Sequence, residues 1–143
     1  MAEQPKKPVP VLDDLSRVYW DAAGEGRLLI QRCRACGEHQ FYPRGHCVHC
    51  FGSDLEWVRA SGTGRLHTFS VVYRTSDPTL AEDLPYVFAI VELDEGPRLT
   101  VNVVDTPPSE LLCDMPVRVV FTRLSDEIAL PNATARTNRQ EET

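Results

Sequence analysis

Four of the chain's five cysteines fall in the run CRACGEHQFYPRGHCVHC, residues 33–50. They form two Cys-x-x-Cys pairs, Cys33/Cys36 and Cys47/Cys50, with ten residues between the pairs. No other feature constrains the fold as much, because this is the spacing of a tetrathiolate metal site. Two residues between thiolates let one tight turn aim both sulfurs at a single ion. Gly37 follows the first pair and Gly52 lies two positions past the second, where glycine suits the positive φ of such turns. The ten intervening residues suit a short β-hairpin with Pro43-Arg44-Gly45 at its turn. One structural Zn2+ in a closed shell is the expected metal. Iron takes the same ligands in a rubredoxin-like site, and expression conditions can load it. Four thiolates complete the shell, so His46 and His49 are expected to be polar residues of the second knuckle.

Two other uses of cysteine pairs fit less well. Disulfides need an oxidising compartment, and the opening MAEQPKKPVPVLDD has lysines without the apolar run of a secretory signal. A cytoplasmic location is therefore expected. A redox Cys-x-x-Cys opens a helix in a βαβ setting, which this region lacks.

The residues around the ribbon read simply. Asp13 or Asp14 suits an N-cap, and Leu15, Val18, Tyr19 and Ala22 recur at helical spacing before Gly24 and Gly26. Trp20 is expected to pack beside that face. RLLIQRC leads into the first knuckle as a strand, and LEWVRAS leaves the second as another, with Trp57 expected over the metal site. From residue 61 the chain reads as β: GRLHTFSVVYR, PYVFAIVELDE, RLTVNVVD, PVRVVFTRL and EIALPNATA. Five strands without a convincing helix predict a small barrel, and periodicity alone leaves an OB and an SH3-like barrel open. The fold class is mostly β: an N-terminal segment with a helix (1–31), a ribbon (32–60), a five-stranded barrel (61–131) and a polar tail (132–143). The tail and the stretch PKKPVPVL are expected to lie against a partner.

Charge and composition narrow the function. The net charge is −6, and the barrel region has no lysine and more acids than arginines. Charge therefore argues against a nucleic-acid partner, since such binding rests on neutralising phosphates. No stretch reaches the roughly 20 apolar residues of a membrane helix. No nucleophile–base pair or open metal position is visible. Cys113, the remaining thiol, is expected to be a buried inert residue at the head of the PVRVVF strand. His39 and His67 fall on strand-like segments, and Asp94-Glu95 reads as a turn.

The order of parts resembles the zinc-ribbon/OB-fold proteins called domain of unknown function 35. The resemblance is carried by Tyr19-Trp20, LLIQRCRACG, YPRGHCVHC, Ser61-Gly62-x-Gly64, Val91-Glu-Leu-Asp-Glu-Gly96 and Met115-Pro-Val, and it spans about residues 13–131. It implies a rubredoxin-like zinc ribbon followed by an OB-fold. It also implies a non-catalytic accessory subunit of a thiolase-fold enzyme (thiolase, synthase or aldolase) acting on acyl-CoA thioesters. Asp114 departs from the glycine that often precedes Met-Pro-Val in that family, which calls the local turn into question.

Two surfaces are candidates for contact. Arg32, Arg34, Arg44 and Arg59 surround the ribbon, and guanidinium forks suit the phosphates of CoA or acids on a partner. Phe69, Tyr73, Tyr86 and Phe88 adjoin the long loop 75–85 and form a candidate docking face. The competing readings are an OB-fold nucleic-acid binder and a free-standing acyl-CoA-binding protein.

Overall fold

The computed structural model describes residues 12–126 and 128–136. The first element, α1 (Asp14–Gly24), is capped by Asp13, whose carboxylate accepts from the Ser16 N–H at 2.6 Å while the Ser16 hydroxyl accepts from the Asp13 N–H at 3.2 Å. The Ser16 amide also holds the Asp13 carboxyl below its ordinary range. The buried face of α1 is Tyr19, Ala22 and Ala23, rather than the full stripe that spacing suggests. Leu15 and Val18 stay 38% and 39% exposed. The helix packs against three strands of the rest of the chain, and the face it buries there is the narrow one of Tyr19, Ala22 and Ala23.

A three-stranded sheet follows, in the order β2-β1-β3, from β1 (Leu29–Cys33), β2 (His39–Gln40) and β3 (Leu55–Arg59). The hairpin expected around Pro43-Arg44-Gly45 is not formed. β2 is two residues long and pairs back with β1 through Gln31 and Gln40, and residues 41–46 run irregularly. Two buried glutamine side chains explain why. Gln31 receives the Arg44 N–H and donates to the Arg44 carbonyl, both at 2.9 Å. Gln40 donates to the His46 carbonyl at 3.1 Å, accepts the Val48 N–H at 2.9 Å, and donates to Gln31 at 2.8 Å. These amides supply the loop with the partners that a strand ladder would otherwise provide.

The barrel is closed in the order β4-β5-β6-β8-β7, from β4 (Thr63–Val72), β5 (Tyr86–Leu93), β6 (Arg98–Val103), β7 (Pro116–Arg123) and β8 (Ala129–Ala135). Alternation places Val87, Ala89, Val91 and Leu93 inside with Leu99, Val101 and Val103, and Tyr19, Ala23, Leu28 and Ile30 join the same core. Closure comes from Ala133, which is fully buried and pairs with both Val119 and Val103. Residues 132–135 therefore belong to the barrel instead of the polar tail. Residues 137–143 of the tail and all but Leu12 of PKKPVPVL lie outside the described residues. The loop 75–85 contains a 3-10 turn, Pro78–Asp83, whose Thr79 N–H is capped by Asp77 at 2.9 Å.

The two family motifs beyond the cysteines meet each other at the barrel end. The Ser61 N–H donates to the Glu95 carboxylate at 2.7 Å, and the Thr63 hydroxyl donates to Asp94. Gly64 pairs with Leu93 so closely that a Cβ would sit 2.2 Å from the Glu92 carbonyl oxygen. Asp114 holds φ +68°, and its N–H donates to the Leu66 carbonyl at 2.7 Å, so the turn survives the departure from glycine. Cys113 is exposed, contrary to expectation, because β7 begins only at Pro116 and leaves the thiol in the preceding turn. His67 is likewise exposed, at the register shift between Leu66 and Thr68.

Two substitutions test this packing by urea denaturation with zinc kept saturating. Gly64→Ala should lower the unfolding free energy by ~2 kcal/mol or more, because the clash is with backbone. Asp114→Gly should raise it by ~0.5–1 kcal/mol, because glycine takes the left-handed conformation without a Cβ penalty.

Candidate metal centre and adjoining aromatic groove

β1 delivers Cys33 at its last residue, and two turns after it place Cys36, Cys47 and Cys50 around the same point. The four sulfurs lie within 4.8 Å of one another. Cys33–Cys50 and Cys36–Cys47 are each 3.6 Å apart. A tetrahedral ion with metal–sulfur bonds of ~2.3 Å needs edges of ~3.8 Å, so the set fits zinc with small adjustment. Cys33 and Cys47 are buried, and Cys36 and Cys50 reach the surface. The His49 and Cys50 amides point at the Cys47 sulfur from 3.3 and 3.4 Å.

Those amides matter electrostatically. The Cys50 amide, opposed by desolvation and assisted by the His49 amide, pulls the Cys47 thiol down to about 6. At Cys36 the Glu38 amide favours the thiolate, but desolvation and the neighbouring thiols outweigh it and push the group up to about 12. Such a spread arises when thiols compete for one stabilising environment. A divalent cation at the centre removes the conflict by favouring all four thiolates. With four protein sulfurs the shell is full, so the site is structural.

The four ribbon arginines do not converge. Arg32 and Arg34 both bind Glu56, at 3.2 and 3.1 Å, and Arg34 also binds Asp54 at 3.0 Å. Arg34, ahead of Arg32, holds the Glu56 carboxyl below its ordinary range. Arg44 is exposed, with its backbone clamped by Gln31. Arg59 pairs with Leu29 at the end of the β1–β3 ladder away from the metal.

The four barrel aromatics also divide. Phe69 pairs with Ala89 and packs on the core, whereas Phe88 pairs with Ser70 on the outer face. Tyr73 is largely exposed beyond the end of β4, and Tyr86 is half-buried at the start of β5. Trp57 packs against the shared core.

Phe88 instead opens into a groove of about 390 Å³ between α1, the loop at 41–43 and strands β5, β6 and β8. Trp20, Tyr42, Leu99 and Pro131 are among its walls. Tyr19 stacks edge-on against Trp20 at 4.9 Å and tilts against Phe41 at 5.2 Å, and Phe41 meets Tyr42 at 4.4 Å. Tyr19 is among the lining residues; its buried hydroxyl has no hydrogen-bond partner among the described residues, and desolvation, with Tyr42 nearby, drives its pKa well upward, so it stays neutral. The Tyr42 hydroxyl accepts the Thr100 N–H at 3.4 Å. Sequence reading missed this groove because its walls come from three separated segments. The adjacent Phe41-Tyr42 pair in an otherwise polar ribbon was the one available signal.

Fold and metal site together define a rubredoxin-like zinc ribbon joined to an OB barrel. Family models described as "ChsH2, rubredoxin-like zinc ribbon domain" and "ChsH2, C-terminal OB-fold domain" match residues 20–56 and 57–122. The chain belongs to this ChsH2, or DUF35, family of zinc-ribbon/OB-fold proteins. A solved structure titled "Ltp2-ChsH2(DUF35) aldolase" is similar at TM-score 0.78 and 35% identity, over 89% of this chain and 98% of that one. The benzoylsuccinyl-CoA thiolase subunit BbsA of Thauera aromatica is 30% identical over 83% of this chain and 74% of its own length. A probable enoyl-CoA hydratase alpha subunit of Thermomonospora curvata is 36% identical over 90% of this chain, which spans only 40% of that protein's length. Among the described residues no helix is long and apolar enough to cross a membrane.

Metal analysis of the purified protein should find one zinc per chain. Cys33→Ser or Cys47→Ser should lose it together with the fold of the ribbon, read by circular dichroism and limited proteolysis. A variant that keeps a protease-resistant ribbon without metal contradicts the assignment.

Proposed function

We propose that this chain is the non-catalytic, zinc-bearing accessory subunit of a cytoplasmic hetero-oligomer. Its partner is a thiolase-fold enzyme that acts on acyl-CoA thioesters. The observation that carries this reading is the likeness, along nearly the whole chain, to the ChsH2 component of a solved aldolase. The kinship with a CoA-thioester thiolase subunit points the same way.

The chemistry of the chain agrees. Among the described residues no histidine ring is hydrogen-bonded to a serine, threonine or cysteine side chain, and the four cysteines leave a metal no open position. The carbon–carbon bond chemistry therefore falls to the partner. The docking or substrate-covering surface is the apolar groove, with Tyr42 and Phe88 half-exposed on its lips, and of the four barrel aromatics Phe88 alone lines it. Of the four ribbon arginines, Arg34 holds both Asp54 and Glu56 and Arg32 holds Glu56 through one nitrogen, which makes Arg44 and Arg59 the freer candidates for CoA phosphates or partner acids.

Purified alone, the chain should turn over no acyl-CoA. Co-expressed with the thiolase-fold subunit encoded beside it, it should co-elute on size exclusion and raise that subunit's activity. Full activity of the partner alone, with no stable complex, defeats this reading.

A further inference from the structure

The two metal-binding knuckles are built alike, and the likeness exposes one residue out of place. In the first, the residue after Cys36 is Gly37, at φ +80°, and its N–H donates to the Cys33 carbonyl at 2.8 Å. In the second, the residue after Cys50 is Phe51, at φ +64°, and its N–H donates to the Cys47 carbonyl at 2.9 Å. The turn thus imposes a left-handed residue at the same point in both. Gly52, where the sequence suggested the positive φ, does not carry it. A bulky aromatic in this region is a genuine outlier, since its Cβ crowds the following carbonyl.

Among the described residues little packs against it. The Phe51 side chain is 77% exposed, and its ring contact is a loose stack with His46 at 6.4 Å between centroids. Val48, on the same knuckle, is also exposed, as are the metal-ligand residues Cys36 and Cys50. A strained residue that presents an aromatic ring to solvent is the pattern of a functional position, and aromatic anchors carry interface energy.

We propose that Phe51, with Val48 beside it, is a docking anchor that inserts into an apolar pocket on the thiolase-fold partner, and that the rim of this pocket is basic. The rim follows from charge complementarity. Four thiolates around one divalent cation leave net negative charge, and two of the sulfur-bearing residues lie at the surface beside the anchor. Asp54 and Glu56 are already paired with arginines, so the negative field beside the anchor comes from the cluster and from the exposed Glu38, which lines the same pocket as Val48. This inference rests on the accessory-subunit reading above.

The test uses zinc-loaded full-length wild type, Phe51→Gly, Phe51→Asn and Val48→Ser, with metal content matched. Melting temperature and affinity for the partner subunit are measured at low and high salt. Phe51→Gly and Phe51→Asn should melt higher, by roughly 2–5 °C, because both tolerate the left-handed turn. The same two variants should bind the partner about tenfold or more weakly, Val48→Ser should bind more weakly without the gain in melting temperature, and wild-type affinity should fall with salt. Unchanged affinity in the Phe51 variants overturns the anchor and leaves the accessory-subunit reading standing. A melting temperature that falls in both overturns the strain on which the anchor is argued. A wild-type self-dimer that Phe51→Gly disperses overturns it in favour of a second copy, and a wild type that forms no complex overturns both readings.

Discussion

The tetrathiolate cluster is the constraint on which the ribbon depends. From Gln31 to Arg59 the buried residues are Cys33 and Cys47, which are fully enclosed, and the two glutamines Gln31 and Gln40; no aliphatic or aromatic residue there is completely enclosed. A segment of this size with so little apolar burial cannot offset its own ordering entropy. The metal–sulfur bonds supply the free energy that a hydrophobic core would otherwise provide. The barrel needs no such help, because inward Val87, Val91, Leu99 and Val117 form a closed apolar interior. The chain thus combines one half that folds by burying hydrocarbon with one that folds by binding an ion.

What joins the halves is polar as much as apolar. Gln31 sits on β1 between Ile30, which belongs to the barrel core, and Cys33, which belongs to the metal. Its side chain clamps Arg44, and with Gln40 it fixes the path of residues 41–48 between the two knuckles. That path carries Phe41 and Tyr42 against α1 and the barrel, which is how a groove comes to exist at the junction. The chain of dependence runs from metal to knuckle, from knuckle to loop, and from loop to aromatic wall.

This dependence also explains what was legible in the sequence. Cys33, Cys36, Cys47 and Cys50 announced themselves because knuckle geometry is local and its spacing is nearly sufficient. The Asp13 cap and the alternation of β5 were legible for the same reason. The glutamine clamp was not, since nothing in local propensity says that Gln31 and Gln40 will stand in for a strand ladder. The hairpin expected at Pro43-Arg44-Gly45 failed on that account. EIALPNATA reads as a strand, yet the polar run from Asn132 also reads as the start of a tail, and pairing on both sides of Ala133 decides for the closing strand. The aromatics Phe69 and Phe88 were grouped by proximity in sequence, but strand parity sends them to opposite faces.

Among the described residues three that are not glycine hold a positive φ: Phe51, Asp105 and Asp114. The two aspartates belong to the small class of side chains that visit this region readily, because a short polar group can hydrogen-bond locally. At Asp114 the backbone is further secured by its bond to Leu66, where β4 meets the turn into β7. The departure from glycine there is a tolerated variation on a structural demand. Phe51 meets an equal backbone demand, set by the same N–H to carbonyl bond that Gly37 makes in the twin knuckle. Yet its side chain finds almost no protein around it. A ring that neither stabilises the turn it occupies nor packs within its own domain has its explanation outside that domain. This asymmetry between two otherwise equivalent knuckles points from the metal site toward a partner surface.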